Sequence, residues 1–116
     1  MINSLGIINC FGVTAAVRLT VNRPNPALRV GAQTIRVQAR PGNTGLVYVA
    51  LAGAAGSPTV DSPQIVAVLA VPAHATQGPF AVYEVSVGNA PAALNCAAFY
   101  IIAAAGDEVL TSYTSQ

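Results

Sequence analysis

The sequence predicts an all-β chain: a single antiparallel β-sandwich of about eight strands, with jelly-roll or immunoglobulin-like topology. Three observations predict it. Apolar and polar residues alternate with a period of two, short apolar runs recur along the whole chain, and proline, glycine and asparagine fill the gaps between them. With 116 residues there is material for one core and too little for two, so residues 1 to 116 are expected to form one domain with short flexible termini.

The first apolar run is Ile7 to Phe11. Next, Val17, Leu19 and Val21 alternate with Arg18, Thr20 and Asn22, until Asn22-Arg23-Pro24-Asn25-Pro26 ends the run. Ile35, Val37 and Ala39 alternate with Arg36, Gln38 and Arg40, and Pro41-Gly42-Asn43-Thr44-Gly45 closes that strand. Leu46 to Leu51 follows, then Gln64 to Val71 beyond Gly56-Ser57-Pro58, and Phe80 to Val87 between Gly78-Pro79 and Gly88-Asn89-Ala90-Pro91. Ala97 to Ala103 and Val109 to Tyr113 complete the set. Gly106-Asp107 reads as the hairpin turn between these last two, with Asp107 and Glu108 solvated rather than paired for catalysis.

Alanine occurs twenty-two times and favours helix. Proline and glycine spacing opposes it. No window of a dozen residues combines a period of 3.6 with freedom from these breakers, so one short helical turn is the most that is expected. The strands Leu46 to Leu51 and Ala97 to Ala103 are apolar on both faces, which predicts one face in the core and the other against a neighbouring subunit.

Composition narrows the function. Hydrophobic residues make up 53% of the chain and charged ones only 8%, against about 25% in an average soluble domain. Such a chain is no disordered segment, and it has too few charges to cover its own surface. Partners are expected to cover part of it. The cations are all arginine, Arg18, Arg23, Arg29, Arg36 and Arg40, and the acids Asp61, Glu84, Asp107 and Glu108 come later, for a net charge of +1. That balance gives little steering toward nucleic acid. Residues 85 to 106 lack charge over a length that spans a bilayer, but Gly88, Asn89, Pro91 and Asn95 interrupt them. What is left, Ala97 to Gly106, is a core strand, so no membrane partner is expected. Met1 to Val17 lacks the basic start of a secretory signal.

The supply of reactive groups is poor. Cys10 and Cys96 lie far apart without a CxxC pattern and read as small buried hydrophobes made in a reducing cytoplasm, with a disulfide between them left open. His74 is the one histidine, and a triad with Asp61 and Ser57 or Ser62 lacks any GxSxG elbow. No metal-ligand spacing and no phosphate-binding glycine loop occurs. The expectation is a protein that is not an enzyme and takes no cofactor or metal. Arginine is the cation suited to interfaces, and Arg18, Arg36 and Arg40 project from the same kind of strand face. With Tyr48, Phe99 and Tyr100 as aromatic anchors, these are the candidate interface residues. Interleaved exposed aromatics, which a nucleic-acid surface needs, are missing.

Val30-Gly31-Ala32-Gln33-Thr34-Ile35-Arg36-Val37-Gln38-Ala39, followed by Gly42-Asn43-Thr44-Gly45-Leu46-Val47-Tyr48-Val49, resembles the strand, asparagine-glycine turn and VYV strand of small virion proteins of tailed bacteriophages. Leu94 to Gly106 is similar to the late strand with which many of them end. The resemblance runs over about residues 28 to 113, and Ala50-Leu51-Ala52-Gly53 departs from it where a large turn residue is often seen. It implies a non-enzymatic structural protein of the particle, such as a capsid decoration or cement protein, made in the host cytoplasm. Its partners would be copies of itself and the major capsid or other virion proteins. A β-sandwich binding module for a carbohydrate or host surface is the second reading, though the absence of tryptophan counts against it.

Overall fold

The computed structural model describes residues 2–26, 28–40, 43, 45–51, 64–69, 82–86 and 94–115. In chain order their strands are β1 Ile2–Asn9, β2 Gly12–Arg18, β3 Gly31–Ala32, β4 Thr34–Ala39, β5 Val47–Leu51, β6 Ile65–Leu69, β7 Val82–Ser86, β8 Leu94–Asn95, β9 Phe99–Ala103 and β10 Glu108–Thr114. A 3-10 turn, Cys96–Ala98, precedes β9. Among the described residues no helix is long and apolar enough to cross a membrane.

Eight long strands make two antiparallel four-stranded sheets, and the two-residue strands β3 and β8 pair with each other. The first sheet runs β1-β10-β4-β7 and the second β2-β9-β5-β6. Successive long strands alternate between the sheets, except for β5 and β6, which pair as neighbours. That interleaving is the strand order of a jelly roll, and it excludes the immunoglobulin arrangement. It also corrects the reading of Gly106-Asp107. β9 and β10 lie in different sheets, so this segment is a corner between layers and not a hairpin turn. Gly106, at φ +89°, supplies the left-handed backbone that the corner requires.

The core lies between the layers. Ile8, Ile35, Val37, Ala39 and Val109 of the first sheet pack with Val17, Val47, Val49, Ile101 and Ala103 of the second. Fully burying each such Val or Ile side chain contributes about 1.5–3 kcal/mol.

Local chemistry sets several strand ends. The Asn95 side chain accepts hydrogen bonds from Val30 N (3.1 Å) and Ala97 N (3.0 Å), which draws the chain into the 3-10 turn and delays β9 from Ala97 to Phe99. β2 stops at Arg18, although the alternation continues to Val21. There Val21 N donates to Arg18 O, Arg23 N to Thr20 O, and the Thr20 hydroxyl to Pro26 O (2.6 Å), so a chain of turns replaces the ladder. At the other extreme, β1 begins at Ile2, because pairing with β10 draws the polar Asn3 and Ser4 into the sheet.

Candidate functional site

The outer face of the first sheet is a grid set by register. One row across it is Ile7, Leu110, Gln38 and Val82; the next is Ser4, Ser112, Arg36 and Glu84. Ile7, Leu110 and Val82 are all exposed, Leu110 by 44%. Arg36 and Glu84 stand directly opposite each other on β4 and β7, an arrangement that favours opposite charges. They line a cavity of about 140 Å³ together with Ile2, Thr34 and Thr114.

The second sheet has a different outside. Arg18, Tyr100, Ala50 and Ile65 form one row and Ile102, Tyr48 and Val68 the next. Ile102 and Ala50 are 0% exposed and Tyr100 is 8% exposed within a single chain, whereas Val68 and Val66 of β6 are exposed. Arg18 explains the burial of Tyr100. Its guanidinium lies 5.3 Å from the ring centroid, while Nε and Nη2 donate to the Tyr100 hydroxyl at 3.1 and 2.6 Å. Nη1 donates to Pro26 O at 3.4 Å and so ties the segment after β2 over the sheet. Cation–ring contact and charge-assisted bonds thus reinforce each other.

Three connections meet at one end of the sandwich. Cys10 N donates to Asp107 O, Gly106 N to Cys10 O, and Gly45 N to Asp107 Oδ2 (3.2 Å). Asn43 completes the junction by bonding both Glu108 N and Glu108 O at 2.9 Å. Asp107 is only 3% exposed and holds the β4–β5 connection, so the expectation of a solvated acid is corrected. Beside these anchors Phe11 is 69% exposed and Leu46 is exposed as well. Two large apolar side chains therefore crown this end.

Both cysteines are free and buried, without a disulfide. Loss of water pushes the Cys10 thiol up to about 11, helped by the negative charges of Asp107 and Glu108. Burial raises Cys96 to about 11 as well, against a smaller lowering from its backbone hydrogen bond and from Arg23. Neither is a reactive thiolate.

The structure separates the residues that the sequence groups together. Arg36 is exposed and Arg40 half-buried on the first sheet, whereas Arg18 belongs to the second and is engaged with Tyr100. Phe99 is 4% exposed inside the core, and Tyr100 lies beneath Arg18, so neither presents its ring to a neighbour. Tyr48 is half-buried. The expectation that β9 offers one apolar face to another subunit is corrected, because every residue of β9 is buried within its own chain. Exposed apolar side chains lie elsewhere on both sheets, among them Ile7, Leu110 and Val82 on the first, Val66 and Val68 of β6 on the second, and Phe11 and Leu46 at one end. His74, Asp61, Ser57 and Ser62 lie outside the described residues. Among the described residues no cluster of three metal-ligating side chains occurs. No family model, no curated protein and no solved structure matches the chain.

Proposed function

We propose that this protein is a non-enzymatic structural component of a virus particle, built to be covered by copies of itself or by a capsid lattice. The observation that carries the reading is the uneven exterior of the jelly roll. The chain buries the middle of one outer sheet face by itself, at β9 and Ala50. β6 beside it leaves Val66 and Val68 in water, the other sheet leaves Ile7, Leu110 and Val82 there, and one end leaves Phe11 and Leu46. A chain with so few charges has little else to keep those side chains from associating.

Support also comes from the strand order, since double-sheet jelly rolls recur in viral shells and in lectins. The fold alone does not choose between these uses. The apolar surface favours the shell, and the resemblance of residues 28 to 113 to small phage virion proteins makes a decoration or cement role in a bacteriophage particle its specific form. Association would bury sheet surface, with Arg36 and Glu84 available for pairing across the contact.

Light scattering on the purified chain, followed by electron microscopy, tests this. A discrete oligomer or closed particle is expected, and Phe11→Ser combined with Leu110→Glu should raise the concentration for assembly about tenfold or more, a shift of ~1.4 kcal/mol. A wild-type chain that stays monomeric at high concentration and binds no particle overturns the reading.

A further inference from the structure

The first sheet ends at β1, whose far side has no strand neighbour among the described residues. In an antiparallel ladder alternate residues bond to alternate neighbours. The carbonyl of Glu108 accepts from Arg40 N, so Glu108, Leu110 and Ser112 serve β4, and Val109 and Thr111 serve β1. Ile8 and Gly6 face Val109 and Thr111, and the Thr111 hydroxyl donates to Gly6 O accordingly. Ile7 and the bulged Leu5 therefore turn their carbonyls to the open edge.

Such an edge invites strand addition. Natural sheets protect edges with lysine, proline or inward charges, and β1, Ile-Asn-Ser-Leu-Gly-Ile-Ile-Asn, has none of these. What it has is Asn22. From the turns after β2, the Asn22 amide donates to Leu5 O at 3.3 Å and to Ile7 O at 3.0 Å, spanning the two outward carbonyls with one side chain. Gly6 between them makes the approach possible. Its φ of +82° forms the bulge, and a Cβ there would come within 3.3 Å of Asn22 Nδ2.

We propose that Asn22 is an edge plug, an autoinhibitory contact that occupies the strand-pairing positions of β1 and prevents open-ended addition of β1 from a second copy. Face-to-face association of the sheets remains permitted, whereas growth by strand pairing does not. The device is independent of whether those faces assemble.

Asn22→Ala tests it against Asn43→Ala, a matched loss of an asparagine that bonds two backbone groups away from the β1 edge. Asn22→Asp, which keeps the shape and removes the donors, serves where Asn22→Ala does not fold. Thioflavin-positive, sedimentable material should form about tenfold faster for the Asn22 variants than for Asn43→Ala, since a freed edge templates cross-β growth. In that material the Ile7 amide should become protected from hydrogen exchange. Equal rates for the two sites, or an Ile7 amide that exchanges as it does in the wild type, overturns the proposal.

Discussion

The two sheets have the same number of strands and the same antiparallel pairing, yet the outsides of their inner strands β9 and β10 differ. In the second sheet β9 is buried on both faces, with Ile101 toward the core and Ile102 away from it. In the first sheet β10 alternates, with Val109 and Thr111 buried and Leu110 exposed. The difference shows that an apolar strand does not by itself identify an interface. A chain can cover an apolar strand such as β9 internally and still leave apolar side chains open on neighbouring β6 and on the other sheet.

The largest test of that contrast is truncation on either side of β9. Ile101→Ala and Ile102→Ala should each cost about 2–4 kcal/mol in denaturant unfolding, because both side chains are fully buried. Leu110→Ala on the first sheet should cost under about 1 kcal/mol in the isolated chain. If Ile102→Ala is as mild as Leu110→Ala, β9 is not covered on its outside and the contrast is lost.

A smaller effect is expected from the arginine that covers Tyr100. Arg18→Ala should lower stability by about 1–2 kcal/mol, through loss of the ring contact and of hydrogen bonds from a charged donor. Arg18→Lys should restore little of it, since lysine cannot place two donors on one hydroxyl from a planar fork. A lysine variant as stable as the wild type would show that charge, and not geometry, holds this side closed.

These side chains also show what was legible in the sequence. From β4 onward the long strands lie close to their predicted places, because alternation and turn residues report local geometry directly. β1 and β2, by contrast, lie several residues earlier than the runs Ile7 to Phe11 and Val17 to Val21 predict. Which sheet a strand joins is decided by contacts far along the chain. Gly106-Asp107 has the composition of a hairpin turn, and only the burial of Asp107 against Gly45 makes it an inter-layer corner. Arg18 and Arg36 have the same alternating context and emerge on opposite sheets. The exposed apolar residues were hidden for a related reason. Ile7 is followed by Ile8, and Leu110 by Thr111 after Val109, so either parity puts an apolar residue in the core. Phe11 reads as the end of a strand and is instead the exposed tip of the connection into β2.

Alkali compares the two layers through their buried thiols. Cys10 follows β1 and Cys96 precedes β9, and both native thiols hold their protons to about 11 from an ordinary value of 9.0. Between those values the unfolded chain releases protons that the native chain keeps, so stability should fall as pH rises through this window and be fully present below it. Unfolding midpoints measured from pH 8 to 11 check this, with Cys10→Ala and Cys96→Ala each expected to flatten the decline. A decline unchanged in both variants would place the titrating groups elsewhere.

The smallest expected effect is the most informative about the open face. Arg36 and Glu84 are exposed and opposite each other in register. In the isolated chain a double-mutant cycle between Arg36→Ala and Glu84→Ala should give a coupling of only about 0.2–1 kcal/mol, because water screens the pair. Burial of this face removes that screening. Removing one partner then leaves the other charge in a dry contact, which costs more than the pair contributes in water. The single variants should therefore weaken association by more than they weaken folding, and the double variant should recover part of the loss. Light scattering across a concentration series, run beside the unfolding cycle, checks both halves. If the two couplings are equal, Arg36 and Glu84 remain in water in the assembly and the contact lies elsewhere on the molecule, with the exposed Phe11 end as the next surface to test.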